Sequence, residues 1–158
     1  MRAFASSTLG DLHISLWNGD ATVNDVADLH QELDALAETA PRFSILLVVT
    51  ATAPVAGHAA RKRAAEMLAR HAERVASVAI VLEGTGFWAA SIRSVFTSIA
   101  FLLRPPFAWR VFSSAESASM WQLPHLEHRD RRAVADVLNA LRAELNPLPR
   151  TRSSGSTA

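Results

Sequence analysis

One segment of this sequence combines residue types that are suited to binding an anion. Glu83, Gly84, Thr85 and Gly86 follow an apolar run typical of a buried strand, and a helical pattern begins directly after them. Ligands of open α/β sheets bind beyond the carboxyl ends of strands, and helix N-termini attract anions, so this turn is a candidate site for a small anion or a nucleotide. A single Gly-x-Gly lacks the full dinucleotide-binding fingerprint, and the alternative is a glutamate and two glycines that only form a tight turn.

Three histidines could support metal or acid–base chemistry. His125 and His128, with Leu126 and Glu127 between them, stand three residues apart, but no second cluster of ligands accompanies them in the sequence. The favoured interpretation of this segment is therefore the solvated start of a helix. His71 lies near the middle of the apolar face of a predicted helix, where a histidine is usually a core residue and only rarely catalytic. We predict no metal site from either pattern.

The sequence contains no recognisable catalytic constellation. It has no cysteine and no tyrosine, which removes thiolate catalysis, cysteine metal sites and acid–base chemistry by a phenol. An enzyme needs acid, base or nucleophile groups that converge in one place. We therefore predict that the protein is not an enzyme and has no catalytic residue and no cofactor.

Composition and charge narrow the class of protein further. The chain has 158 residues, of which 49% are hydrophobic, and a formal net charge of +1. It is the size of one domain, and its basic residues are too dispersed for a nucleic-acid-binding surface. The apolar stretch from Phe87 to Leu103 is interrupted by Arg93 and several hydroxyl residues, so we expect no transmembrane segment. We predict one cytoplasmic domain over residues 1–146 and a disordered tail over residues 147–158.

The apolar patterns predict an alternation of strands and helices. Alternating side chains over residues 12–17 predict a half-buried strand, and apolar runs predict further strands at 43–49, 75–82 and 109–112. Residues 1–8 could add an edge strand. Helices are predicted from the N-cap Thr22 to before Pro41, at about 58–74, from the 83–86 turn to about Leu103, from the cap Ser113 through Trp121, and over 134–145. The predicted fold class is α/β: a single mixed, mostly parallel sheet of four to five strands with helices packed on it.

The third predicted helix is the candidate docking element. Its core-facing stripe consists of Trp88, Ile92, Val95, Phe96, Ile99, Leu102 and Leu103. Phe101 lies outside this stripe, next to Arg104 and separated from Phe107 by two prolines. We predict that Phe101, Arg104 and Phe107 form a surface for self-association or for a protein partner, and the alternative is a helix buried on two sides.

Four short segments follow patterns found in one superfamily of α/β domains. These segments are Leu16-Trp17-Asn18-Gly19, Ile45 to Val49, Val78 to Val81, and Val111 to Ala118 before Trp121. The last of them, a strand ending in phenylalanine and followed by a short capped helix, is the most telling. Over roughly residues 10–123 the chain resembles the STAS/anti-sigma-factor-antagonist-like superfamily, and in particular its divergent branch related to Sec14-type (CRAL-TRIO) lipid-binding domains.

The resemblance implies a STAS-like fold and a non-enzymatic regulatory or protein-interaction role. Some such domains are switched by phosphorylation in the loop after the central strand, which corresponds here to Thr50-Ala51-Thr52-Ala53-Pro54. The usual Asp-Ser-Ser-Gly pattern is absent from this loop, so Thr50 and Thr52 are candidates by position alone. We expect a protein partner or a homo-oligomer. The alternative is a domain that binds a small ligand, such as a lipid or a nucleotide, between the third helix and the sheet, and a hydrolase or transferase is a third, disfavoured hypothesis.

Overall fold

The computed structural model describes residues 2–127 and 130–146. His128 and the predicted disordered tail, residues 147–158, lie outside the described residues, so the disorder of the tail stays a prediction. The elements, in chain order, are β1 (Phe4–Leu9), β2 (Leu12–Trp17), α1 (Val23–Thr39), β3 (Phe43–Val49), α2 (His58–Arg70), β4 (Val75–Leu82), α3 (Gly86–Leu103), β5 (Ala108–Phe112), α4 (Ala115–Gln122) and α5 (Arg131–Leu145).

The strands form one mixed sheet in the order β1-β2-β3-β4-β5. The edge strand β1 is antiparallel to β2, and the strands from β2 to β5 are parallel. The prediction of a single, mostly parallel sheet is therefore confirmed. Each parallel connection moves one strand further in the same direction, and because such crossovers are right-handed, α1, α2 and α3 all lie on one face.

Two apolar cores result, one on each face of the sheet. The larger core packs α1, α2 and α3 against side chains such as Phe43, Ile45 and Ile80. The smaller core packs α4 and α5 against the opposite face, with Leu46 and Val81 among its buried residues. Both faces of the sheet are therefore covered, as parallel sheets require.

This double cover corrects the prediction for β2. Its alternating sequence predicted a half-buried strand, but all six residues of β2 are buried. The polar residues face the α1 side, where they are bonded: the Trp17 indole nitrogen donates to Ser15 Oγ at 3.0 Å, and His13 Nε2 lies 2.9 Å from Glu32 Oε2. The alternating residues of β2 therefore line two buried faces of the sheet, one polar and one apolar. Neither face is exposed to solvent.

Helix ends follow local capping chemistry, and two of them differ from the prediction. Thr22 and Asp25 form the expected capping box at the start of α1. The helix α2 ends at Arg70 rather than near residue 74, because His71 O accepts hydrogen bonds from the backbone N–H groups of Arg74 and Val75 and turns the chain into β4. The cap of α4 is Ser114 rather than Ser113.

Candidate functional site

The carboxyl ends of the parallel strands bring two sequence-predicted segments together. The backbone N–H of Thr50 donates to Trp17 O at 2.9 Å, and that of Glu83 donates to Val49 O at 3.0 Å. The loop 50–57 and the turn 83–86 therefore lie side by side at one edge of the sheet. Trp88, in the first turn of α3, joins them, because its indole nitrogen donates to Ala53 O at 2.6 Å.

The turn 83–86 is tied to the body of the domain by two contacts. The carboxylate of Glu83 is held by both terminal nitrogens of Arg142 on α5. Gly84 lies directly beneath the Trp88 ring, and a Cβ at this position would stand 2.2 Å from Trp88 Cε3. The glutamate and the first glycine thus serve packing and ion pairing, and an anion site at this turn stays a prediction.

The loop after β3 exposes one of the two predicted phosphorylation residues. Thr52 is exposed and Thr50 is half-buried, and their hydroxyl oxygens lie 3.3 Å apart. The next residue, Ala53, is buried and accepts the Trp88 hydrogen bond. Thr52 therefore directly precedes the residue that contacts the start of α3.

An apolar cavity lies between the sheet and the helices α1, α2 and α3. Its volume is about 120 Å³. Trp17, Ile45 and Val78 form part of its floor, and Ile92 of α3 forms part of its roof. Arg61 also lines it, and the Nε atom of this residue is buried and has no hydrogen-bond partner. This is the position between the third helix and the sheet at which the sequence predicted an opening.

The outer face of α3 is exposed and apolar at both ends. Phe87 is 90% exposed, Phe101 75% and Leu102 78%. The exposure predicted for Phe101 is confirmed, and Arg104 is exposed at the left-handed end of the helix. Leu102 was wrongly placed on the core-facing stripe. By length and composition α3 could cross a membrane, although it forms one side of the larger core through Ile92 and Ile99.

Phe107 corrects the predicted docking surface. It is 7% exposed and belongs to the larger core, where its ring lies 6.3 Å from that of Trp109. The chain reverses after α3 and leads into β5, and this reversal turns Phe107 inward while Phe101 stays outside. The exposed surface of α3 therefore contains Phe101 and Arg104 without Phe107.

Two groups of titratable residues were missed by the sequence analysis. Glu32 of α1 accepts hydrogen bonds from Arg2 and Ser6 and contacts His13, and together these bonds join α1 to the edge of the sheet. Ser6 donates to the carboxylate and not to His13, so the imidazole does not activate the hydroxyl as it would in a Ser-His-acid triad. The Glu32 carboxylate therefore has a structural role, which is to hold α1 against the edge of the sheet.

The second missed group joins α1 to the end of α2. His71 is buried, as predicted, and its Nε2 lies 3.0 Å from Asp34 Oδ1. His30 Nε2 lies 3.6 Å from the same oxygen. His30 and Asp34 stand four residues apart on one helix face, a spacing that the sequence displays, but their convergence with His71 depends on how α1 and α2 pack.

The remaining histidine motif is only partly described. His125 lies in a short 3-10 turn, and its ring is 5.5 Å from that of Trp121. The contact is one of packing, and His128 lies outside the described residues.

The comparisons with known proteins agree with this fold. No protein-family model matches the chain, and no curated protein matches it. A solved structure of an uncharacterised protein from Shewanella loihica, of the DUF3478 family and with a SpoIIAA-like fold, matches 75% of this chain and 91% of its own. The TM-score is 0.54 and the sequence identity 16%. The chain thus has the SpoIIAA-like, STAS-like fold that its sequence predicted, whereas the relation to Sec14-type domains stays a prediction.

Proposed function

We propose that this chain is a non-enzymatic protein-interaction domain of STAS-like type, which docks a partner through the outer face of α3. The observation that carries the proposal is the exposure of Phe87, Phe101 and Leu102 on a single helix face. Large apolar side chains that are exposed along one face of an element often mark an interaction site. The opposite face of α3 packs on the larger core through Ile92 and Ile99. The apolar residues of α3 are thus divided between a buried face and an exposed face.

The middle of this face is suited to receiving another helix. Small side chains lie between the bulky ends of α3 and form a shallow groove. The hydroxyls within it turn back onto the helix: Ser98 Oγ donates to Ser94 O at 2.9 Å, and Thr97 Oγ1 donates to Arg93 O at 2.8 Å. Since these donors are already bonded within α3, a partner can cover them at a small desolvation cost.

Charge distinguishes between two kinds of partner. Residues 86–104 include Arg93 and Arg104 and no acidic residue, and both arginines are exposed. Two copies of α3 packed on each other would bring Arg93 side chains together near the centre of the contact. An amphipathic helix with acidic residues beside its apolar stripe would complement the same surface. We therefore propose a different protein, rather than a second copy, as the partner.

The test compares two variants on opposite sides of the domain. Phe101→Ser combined with Leu102→Ser removes the apolar end of α3, and Met120→Ser removes an exposed apolar side chain from α4, on the other face of the sheet. Each immobilised protein is incubated with a lysate of the source organism, and the captured proteins are identified. Affinity for the captured protein is then measured with purified components.

We expect the α3 variant to weaken binding at least about tenfold, as loss of an aromatic anchor does, and the α4 variant to bind like the wild type. Equal binding by both variants would contradict the proposal. A stable dimer that the α3 variant abolishes would replace the foreign partner with a second copy. Binding to lipid vesicles alone would assign the face to a membrane instead.

Regulation through the loop after β3 forms part of this proposal. A phosphate on Thr52 would add close to two negative charges next to Ala53, which holds Trp88 at the start of α3. Thr52→Glu should therefore change the affinity of the captured partner while the melting temperature stays near that of the wild type. Thr52→Val is the matched control. If both variants bind the partner with the same affinity, the loop after β3 has no regulatory role.

A second candidate function rests on the cavity beneath α3. Its apolar lining and its volume of about 120 Å³ suit a small apolar group, and the unpartnered Nε of Arg61 could bind one acceptor at the edge of such a ligand. Apolar cavities of roughly this size, about 150 Å³, bind benzene-sized molecules in other proteins. The lining favours a lipid-like or aromatic ligand over a nucleotide. The comparisons name no ligand.

Binding of benzene tests the cavity directly. We expect saturating benzene to raise the melting temperature of the wild type, because a ligand that binds only the folded state stabilises it. Ala64→Leu, which places a larger side chain in the cavity lining, should abolish the rise. Ala69→Leu, on the exposed side of α2, should leave it unchanged. If benzene does not raise the melting temperature of the wild type, the cavity is not a ligand-binding site.

A further inference from the structure

The group at the junction of α1 and α2 has the atoms of a metal site. One nitrogen of His30, one nitrogen of His71 and one oxygen of Asp34 all lie within 4.8 Å of one another. Asp34 Oδ1 is 3.0 Å from His71 Nε2 and 3.6 Å from His30 Nε2. Ligands around a tetrahedral zinc ion stand roughly 3.3 Å apart. The two separations from Asp34 Oδ1 are therefore close to this ligand spacing.

Both imidazoles turn one ring nitrogen toward the Asp34 carboxylate. His30 Nε2 and His71 Nε2 are both buried, and their contacts with Asp34 Oδ1 lack good hydrogen-bond geometry. The side chains are 8% and 5% exposed, whereas that of Asp34 is 57% exposed. A buried polar atom without a partner is costly, and two that point to one carboxylate require an explanation.

We propose that His30, Asp34 and His71 bind a divalent transition-metal ion of the zinc type, with the solvent-exposed side of Asp34 leaving one coordination position open to water. Two imidazoles and a carboxylate are ligands that zinc accepts, and they differ from the all-oxygen set preferred by magnesium or calcium. The ion would link α1 to the C-terminal end of α2. This site is independent of the docking face and of the cavity.

Arg63 sets the affinity of the site. Its guanidinium lies 2.8 Å from His30 Nδ1, and because arginine can only donate, Nδ1 must accept and the proton of neutral His30 must reside on Nε2. Metal binding at Nε2 moves that proton to Nδ1 and displaces Arg63. The guanidinium therefore competes with the metal, and its removal should tighten binding.

The experiment titrates the full chain, freed of metal by a chelator, with zinc chloride by calorimetry, and repeats the titration with cobalt chloride. We expect one zinc ion per chain and, with cobalt, visible absorption bands characteristic of low-coordinate nitrogen and oxygen ligation. Asp34→Asn and His71→Gln should each weaken zinc binding at least about tenfold. Arg63→Gln should strengthen it by a similar factor. Since Asp34 is exposed, its variant keeps the test valid even if His71→Gln fails to fold.

The control is His58→Gln, which removes an exposed histidine at the start of α2 and should leave zinc binding unchanged. The proposal is overturned if the wild type does not bind zinc at millimolar concentration, or if Asp34→Asn binds as tightly as the wild type. Binding that is lost in His58→Gln instead would assign the metal to another part of the surface.

Discussion

At the scale of single residues, Gly84 shows how the absence of a side chain positions the start of a helix. The Trp88 ring occupies the space where a Cβ would stand, and from there it bonds to the loop after β3. The first turn of α3 is therefore aligned with this loop by a glycine, although Gly84 itself needs no unusual backbone conformation. The sequence suggested a ligand turn, but packing accounts for this residue.

We predict that Gly84→Ala displaces Trp88 and breaks its bond to Ala53. The free energy of unfolding should fall by about 1–3 kcal/mol, as in other overpacked sites, and the tryptophan emission should shift. Denaturant unfolding followed by fluorescence measures both effects. Gly57→Ala is the control, because a Cβ there meets nothing within 4 Å, and its cost should stay below about 1 kcal/mol. Equal costs for the two variants would contradict this role of Gly84.

Glu32 is a second residue whose effect extends beyond its own helix. Burial alone would raise its pKa, but hydrogen bonds from His13, Ser6 and Arg2 lower it to about 2, against an ordinary value of 4.5. A carboxylate with a lowered pKa in the folded state stabilises the fold above its ordinary pKa. That stabilisation is lost as the pH falls from 4.5 toward 2.

Glu32→Gln should therefore lower the free energy of unfolding by roughly 1–2 kcal/mol at pH 7, because the charged hydrogen bonds are weakened. The difference from the wild type should shrink steadily below pH 4.5. Urea unfolding at a series of pH values checks the prediction. Glu38→Gln, an exposed position on the same helix, should change stability by less than about 0.5 kcal/mol. A difference that does not depend on pH would show that the charge of Glu32 is not responsible.

At the scale of elements, α3 divides its apolar residues between a core face and an outer face. The pattern of spacing identified Phe101 as outside the core, because residues on a helix face are set by the 3.6-residue period. The same reasoning could not place Phe107, which follows the helix and two prolines. Its direction depends on the turn that brings the chain back to the sheet as β5.

The two phenylalanines should respond differently to the same substitution. Phe107→Ser should cost about 3–5 kcal/mol, as truncation of a buried phenylalanine does, and Phe101→Ser should change the free energy of unfolding by less than about 0.5 kcal/mol. Thermal or denaturant unfolding of the two variants makes the comparison. A large cost for Phe101→Ser would mean that the outer face of α3 is covered within the domain, and the proposed docking surface would then fail.

At the scale of the whole molecule, the junction of α1 and α2 makes stability depend on pH. Burial lowers the pKa of His30 and His71; Arg63 and Arg70 act in the same direction on His30, as does Arg74 on His71, and Asp34 opposes them. In the unfolded chain both histidines titrate near 6.5. Below that pH the unfolded state binds more protons than the folded state, so stability falls as the solution is acidified.

We therefore expect the metal-free protein to unfold at a lower denaturant concentration at pH 5.5 than at pH 7.5. His71→Gln should reduce this difference, whereas His58→Gln should leave it unchanged. Guanidinium unfolding in the presence of a chelator checks both statements. A wild-type midpoint that is constant over this range would show that the histidines are not held neutral by the fold.

The sequence by itself determined the order of elements, the mostly parallel sheet, the residues of β3 and the capping box of α1. These features depend on the spacing of apolar residues and on hydrogen bonds between near neighbours, which a sequence displays directly. It also marked Phe101 as exposed and His71 as buried.

Contacts between elements that are distant in the sequence could be established only from the tertiary structure. The convergence of His71 with His30 and Asp34, the pairing of Glu83 with Arg142, and the burial of both faces of β2 require the packing of helices on the sheet. A periodic pattern states which side of an element is apolar, but it does not state which partner covers that side. For this reason the convergence of the proposed metal ligands, which come from two helices, could not be predicted from the sequence, while the exposure of Phe101 could be predicted from one helix alone.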